Sequence, residues 1–185
     1  MTQGDGSAAV NSGPDTEVTI VVDGANVVGS RPDGWWRDRA GAAVRLHDNL
    51  TRLAERGRVG IPAAELAVSE PGTSAPRDQE VRLVPVAVVL VLEGAARAAV
   101  PRIAERARTA SGVRRSGAAG PGRGPSGDGE VRVVSAPGSG DDEIVRQAQS
   151  RAGPCIVVTA DRELRRRCVA AGAQVAGPSW LYGLL

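Results

Sequence analysis

Thr19 to Asn26 reads TIVVDGAN. A short β-branched apolar run closes on Asp23, and a helical pattern follows it. The chain repeats this arrangement twice. VRVVSAPGSGDDEIV, Val131 to Val145, sets Asp141 and Asp142 just past an apolar run, and CIVVTADREL, Cys155 to Leu164, sets Asp161 past another. Short β-branched runs that feed helical patterns are the sequence form of buried parallel strands with crossover helices. The alternation predicts an α/β fold: a single Rossmann-like domain with a central parallel sheet flanked by helices. In such a sheet the strand ends that precede helices lie on one edge, and ligands bind outside that edge. Acids remote in sequence are therefore expected to meet in one crevice. Clustered carboxylates repel one another unless they are protonated or share a cation. A hard divalent ion, which prefers oxygen ligands, is the expected cation.

The composition bounds the chemistry. The chain has 185 residues, 42% of them hydrophobic, enough for one domain with a real core. Phe is absent and aromatics are 2%, so the core must be built from Val, Ala, Leu and Ile. All 23 basic residues are Arg, which rules out any mechanism that needs a lysine. GC-rich codon usage accounts for the arginines as it does for the many Ala, Gly and Pro. Cys155 and Cys168 have no close spacing and no histidine neighbours, as expected of buried thiols in a reducing compartment. His47 is the only histidine, which argues against a zinc site. No charged-then-apolar signal pattern opens the chain. The longest apolar stretch, Val84 to Leu92, is too short to span a bilayer. These features predict a soluble, cytoplasmic protein.

Along the chain, residues 1–16 lack periodicity and read as a disordered tail, leaving 17–185 as the folded domain. Val18 to Val22 is the first strand, and Gly24 to Gly34 reads as a loop at the active edge. From about Trp36 to Arg56 apolar residues recur at helical spacing until Gly57 stops them. Residues 60–80 are ambiguous: Ala63 to Val68 fits a short helix or a strand. Val81 to Leu92 is a strong strand with Pro85 near its start or at a bulge, ended by Glu93-Gly94. Ala95 to Thr109 is helical, with Pro101 expected to kink or split it. Residues 111–129 form a Gly/Arg-rich loop insertion. Val131 to Ser135, Cys155 to Thr159 and Gln174 to Ala176 are strands. Asp141 to Arg151 and Arg162 to Ala171 are helices, and Trp180 to Leu185 packs a final turn onto the core.

Each acid also has a structural reading. Asp23 with Asn26 suits an Asx turn. Ser139 to Asp142 matches a capping box, and Asp161 is placed to cap RELRRRCVAA. A cap demands only Ser, Thr, Asn or Asp, so carboxylates at all three helix openings suggest that the charge itself is wanted. Other motifs carry less. GRGPSG, Gly122 to Gly127, has the letters of a dinucleotide fingerprint but neither the strand before it nor the helix after it. The Asn49-Leu50-Thr51 sequon lies on a helix, and there is no P-loop. Trp35 and Trp36 suit base stacking beside the crevice or the anchoring of a loop. Arg31, Arg37 and Arg39 flank the Asp23 loop, Arg114, Arg115 and Arg123 lie in the Gly/Arg-rich stretch, and Arg162 follows Asp161. All are candidates for backbone phosphate contact, set against an arginine bias that scatters such residues everywhere.

Taken together, DGAN after the first strand, GDDEIV opening a middle helix and VVTADREL after a late strand resemble the PIN-like nucleases, and within them the YacP-like branch of the NYN group. The resemblance runs from about Val18 to the end of the chain, leaving out 60–80 and 111–129. It implies a PIN-like fold and a ribonuclease dependent on Mg²⁺ or Mn²⁺. By motif position Asp23, Asp141 and Asp161 correspond to the metal-binding acids, Asp142 to the neighbouring second acid, Asn26 to the polar companion of the first Asp, and Thr159 to the hydroxyl residue before the last. It further implies endonucleolytic cleavage of RNA leaving 5′-phosphate and 3′-hydroxyl ends. The chain departs from the family at the second strand, where Glu93-Gly94 stands in place of Asp-Gly.

Carboxylate-held metal chemistry suits a chain with one histidine and no lysine. A receiver-type phosphotransfer domain needs a lysine and is excluded. A hydrolase with an aspartate nucleophile wants a second Asp where Ala25 stands. Two alternatives stay open: a non-catalytic RNA-binding or adaptor module of the same fold, and the nuclease of a toxin–antitoxin pair.

Overall fold

Val18–Asp23 (β1) is buried along its whole length, and the rest of the molecule is arranged around it. The computed structural model describes residues 16–63, 66, 81–114, 130–151 and 153–185. In chain order β1 is followed by a short helix, α1 (Gly24–Gly29), a 3₁₀ turn at Trp35–Arg37, and α2 (Arg39–Glu55). Next come β2 (Arg58–Pro62), β3 (Val81–Leu92), a 3₁₀ turn at Gly94–Ala99 and α3 (Val100–Arg114). The chain continues as β4 (Val131–Ser135), α4 (Gly140–Gln149), β5 (Cys155–Val158), α5 (Arg162–Ala170), β6 (Gln174–Ala176) and α6 (Pro178–Leu184).

The strands make one sheet. β1 pairs in parallel with β3 on one side, Val18 opposite Val86 through Asp23 opposite Val91, and with β5 on the other, Thr19 opposite Cys155 through Val22 opposite Val158. β4 continues the parallel pairing beyond β3, and β6 beyond β5. The parallel strands thus run β4-β3-β1-β5-β6, the Rossmann order, whose direction of growth reverses between β1 and β5. One strand departs from the expected all-parallel sheet: β2 pairs antiparallel with the first half of β3, Arg58 opposite Pro85 through Pro62 opposite Val81. Pro85 stands where β3 leaves β2 and takes up β1, so its missing N–H interrupts neither ladder midway.

Alternate residues of the strands face two separate cores. Ile20, Val22, Leu90 and Val158 pack with Val27, Leu50, Leu53, Ile103 and Leu181 of α1, α2, α3 and α6. Val21, Val91 and Val157 pack with Ile144, Ala148, Leu164 and Cys168 of α4 and α5. Helices on both faces are why the strands read as continuous apolar runs rather than alternating ones. α6 is pinned from two sides: the Tyr182 hydroxyl donates to the Val27 carbonyl (2.9 Å), and the Arg56 guanidinium donates to the carbonyls of Leu184 and Leu185.

Several boundaries differ from the sequence expectation. Residues 24–29 of the expected active-edge loop are helical. α2 starts at Arg39 because Asp38 accepts from the Gly41 N–H (2.8 Å) and caps it. It ends where Gly57 turns left-handed, φ 72°. Pro101 does split its helix: a 3₁₀ turn precedes it, and it sits in the first turn of α3, where its missing N–H costs nothing. α3 runs on to Arg114, into the stretch expected to be a loop. The expected tail through residue 15, most of 64–80 and residues 115–129, including Arg115 and Arg123, lie outside the described residues. No helix among the described residues is long and apolar enough to cross a membrane.

Candidate functional site

β1 ends at the point where the strand order reverses, and Asp23 is its last residue. Only 6% of Asp23 is exposed. Its Oδ1 accepts from the Asn26 backbone N–H (3.0 Å), which caps α1. Its Oδ2 accepts from the Thr159 hydroxyl (2.9 Å), just past β5. The Thr159 oxygen in turn accepts from the Asp161 N–H (3.1 Å), and Asp161 caps α5 through the Leu164 N–H (2.7 Å). The Asn26 side-chain oxygen accepts from the Ala160 N–H (3.1 Å). Asn26 and Thr159 therefore lock the ends of β1 and β5 together and fix the rotamer of Asp23. They position the carboxylate. Each Asp23 oxygen accepts one hydrogen bond and keeps a lone pair for a further partner.

Two more carboxylates approach from the other side. Asp141, in the first turn of α4, lies close enough to raise the proton affinity of Asp23. Glu93, immediately after β3, raises that of both Asp23 and Asp141. Glu93 Oε2 accepts from the Gly140 N–H (2.8 Å) and so ties the end of β3 to the start of α4. A side chain at Gly140 would collide with that carboxylate. Gly24 is equally constrained, since a Cβ there would stand 2.7 Å from the Val91 carbonyl.

The electrostatics follow from this crowding. Burial raises the Asp23 pKa above its ordinary 3.8. The hydrogen bonds from Asn26 and Thr159 partly oppose the rise, and Asp141 and Glu93 add to it. Asp141 is raised by its burial, then by Asp161 and Glu93, with Arg167 opposing and Asp142 adding to the rise. Four acids from four parts of the chain thus share one field, and the sequence pattern alone left the part of Glu93 open. Its signal was its place, at a strand end like the other three.

Asp142 is exposed, and its carboxylate pairs with Arg167 of α5, tying two helices together, while its charge also acts on Asp141. All three structural readings are realised as well: Asp23, Ser139 and Asp161 cap α1, α4 and α5. Capping and clustering are compatible because each cap occupies one oxygen.

The expected nucleic-acid contacts divide. Arg31 lies on the Tyr182 ring, 3.5 Å from its centroid, and helps hold α6. Arg39 stands over Trp35 at 5.4 Å. Trp35 packs near Gly29 and meets Trp36 edge-on, so it anchors the loop, while Trp36 is 54% exposed. Arg37 and Arg162 are exposed, Arg162 directly after Asp161, and Arg114 ends α3. Cys155 and Cys168 are buried, and burial pushes both thiols up to about 11, which makes them poor nucleophiles. A cavity of about 710 Å³ between α2 and α3 includes none of the cluster acids. Its Arg45, Arg102 and Arg106 face Asp38, Asp48 and Glu105, so its charges balance.

Among the described residues, no three acid, histidine or cysteine side chains stand together as a ready-made cage for a metal ion. The donors suit an ion of the magnesium type, which takes one or two protein carboxylates and completes its shell with water and substrate oxygens. Of the acids expected to hold such an ion, Asp141 acts on Asp23 directly, and Asp161 and Asp142 act on Asp141.

No protein-family model matches the chain, and no curated protein matches it. Among solved structures it is similar to Rae1 (YacP) from Bacillus subtilis, with 14% identity and a TM-score of 0.49 over 90% of this chain and 73% of that one.

Proposed function

We propose that the chain is a divalent-metal-dependent endoribonuclease. The reading is carried by one observation: a buried aspartate at the switch point of the sheet, its rotamer fixed by two neighbours, in the field of Asp141 and Glu93, with Asp161 acting on Asp141 in turn and Arg167 as the opposing cation there among the described residues. Such an arrangement costs stability on its own, and a ligand of opposite charge removes the cost. RNA as substrate follows from the motif resemblance to NYN nucleases, since carboxylate geometry is indifferent to the sugar.

Asp23 and Asp141 would hold Mg²⁺ or Mn²⁺. A bound divalent ion supplies Lewis-acid stabilisation of charge at the phosphodiester and a more acidic attacking water. The chain's own part is orientation. Thr159 and Asn26 keep both Asp23 oxygens aimed, Glu93 fixes the start of α4 and with it Asp141, and Asp161 holds the opening of α5. Arg162, exposed and next to Asp161, would meet a backbone phosphate beside the acids, with Arg37 a further exposed candidate. No histidine or lysine serves as a base, so proton removal falls to carboxylates and solvent.

The test is cleavage of a single-stranded RNA by purified protein with Mn²⁺ or Mg²⁺, wild type against Asp23→Asn. Loss of cleavage in a folded variant is expected, and equal cleavage by both forms sinks the assignment. A second reading, a non-catalytic RNA-binding module, is favoured by the lack of a ready-made cage among the described residues. Tight RNA binding in EDTA with no cleavage under any metal would select it.

A further inference from the structure

The far end of α4 carries charge of the opposite sign. Glu143 is buried and holds Arg146 through both carboxylate oxygens, an internally neutral pair. The Gln147 side-chain amide donates to Glu143 (2.5 Å), which turns its oxygen outward. Two guanidinium groups converge on that single neutral oxygen: Arg132 from β4, and Arg151 just past the helix, through Nη2 at 3.2 Å. Among the described residues, no carboxylate bonds to either. The Arg151 Nε is buried and has no hydrogen-bond partner, although buried donors ordinarily have one. Burial and then Arg151 weaken the hold of Arg132 on its proton, and the single charge of Glu143 opposes them. β4 pairs only with β3 among the described strands, so this end of the sheet is an edge.

We infer that Arg132 and Arg151 form a phosphate-binding site, distinct from the acid cluster, in which the anion takes over the guanidinium donors that the Gln147 oxygen accepts. A tetrahedral anion offers several acceptor oxygens and accepts from two guanidinium forks at once, which one amide oxygen cannot do. It would supply the missing partner of Arg151 Nε and the missing charge. A carboxylate supplies fewer acceptors for the same two forks. Gln147 lies six residues beyond Asp141 on α4, about 9 Å along the axis at 1.5 Å per residue. The two positions are also about 120° apart around the helix, so an RNA with its scissile bond at the acids would wrap round α4 to place a backbone phosphate here, and in naming RNA the inference rests on the proposed function. A free phosphorylated small molecule offers the same chemistry.

The experiment has two arms, neither of which reads cleavage. In the first, inorganic phosphate is titrated into wild-type protein while the arginine Nε–H resonances are followed by NMR. The Arg132 and Arg151 signals should shift saturably, and those of Arg45 and Arg102 should not. In the second, binding of a labelled single-stranded RNA is measured in EDTA across a salt series. Arg132→Gln with Arg151→Gln should weaken it about tenfold and lower the log–log salt slope by about 0.7 for each phosphate that is no longer neutralised. Arg45→Gln, in the charge-balanced cavity between α2 and α3, is the control that keeps the slope. Phosphate-induced shifts with a changed RNA slope support the site with RNA as its source. Shifts with unchanged RNA binding support the site with a small phosphorylated ligand. If phosphate moves neither resonance and the double variant binds RNA as the wild type does, the arginines only join β4 to α4 and the inference is overturned. The first arm needs no variant, so it holds even if the double substitution unfolds the protein. A protein that binds phosphate there but cleaves no RNA would refute the nuclease reading alone.

Discussion

The two ends of α4 carry charge that the protein itself leaves uncompensated, with opposite signs. Around its first turn stand Asp23, Glu93, Asp141 and Asp161, with Arg167 as the opposing cation. Around its last turn Arg132 and Arg151 share one neutral amide oxygen. The helix dipole favours both signs where they occur, but at a few tenths to about 1 kcal/mol per charge it does not explain why Asp23 is buried. Elsewhere on the surface charges are matched locally, as in Arg106 with Asp48 and Arg166 with Glu163. The contrast separates charges that balance locally inside the fold from charges of one sign that gather at each end of α4.

The largest expected effect breaks the acidic end. Asp23→Asn should lower the rate of RNA cleavage by more than about a hundredfold, beyond the range of residues that merely support a metal ligand, while its circular dichroism stays that of the wild type. The same variant sharpens the comparison through stability. The folded pKa of Asp23 is raised above its unfolded value of 3.8. The folded state therefore binds more protons than the unfolded one in that window, and the contribution of Asp23 to stability falls as pH rises from about 4. Asp23→Asn removes that loss. Its melting temperature relative to wild type should climb between pH 4 and neutrality and then level off. Mg²⁺ should raise the melting temperature of the wild type at neutral pH, by the equivalent of about 2.7 kcal/mol at a hundred times its Kd, and leave that of Asp23→Asn unmoved.

Thr159→Val tests positioning. It removes the hydroxyl that aims Asp23 and leaves a buried oxygen unpaired, so cleavage should fall about 10- to 100-fold and stability by about 1–3 kcal/mol. Unfolding titrations and initial rates on one preparation check both. Glu93→Gln keeps an oxygen for the Gly140 N–H but removes the charge. It should weaken the stabilisation by Mg²⁺ severalfold, about 1 kcal/mol by the strength of a screened charge pair, with the fold intact. The smallest effect belongs to Asp142→Asn. Its carboxylate is exposed and pairs with Arg167, so cleavage should change by less than about fivefold. A loss as large as that of Asp23→Asn would make Asp142 a principal residue of the site.

Much of this was legible before the fold. Val18 to Val22, Val88 to Leu92 and Cys155 to Val158 are apolar runs rich in β-branched residues, as burial on two faces requires. Acids at the ends of such runs were found because strand ends before helices share an edge. What escaped had no periodic signal. RVGIP of β2 carries a Gly and a Pro and becomes a strand only because the first half of β3 offers it an open ladder. α1 is six residues long, too short for helical spacing to register. Arg31 looked like Arg37, and only the arrival of α6 gave it a ring to lie on. Arg132 and Arg151 were invisible among 23 arginines.

By itself, then, the chain's order of residues determined the strands, the helices that follow them and the roster of acids at their ends, because these depend on local pattern and on which groups water will release. Tertiary structure decided which of those acids act together. Asp141 and Asp142 are adjacent in sequence but about 100° apart around the helix, so packing of α4 against the sheet brings one toward Asp23 and leaves the other to Arg167. The same packing put Glu93 against Gly140 and brought two arginines, from β4 and the end of α4, onto one amide oxygen. Which charges go uncompensated depends on distances across the fold, and no local pattern contains them.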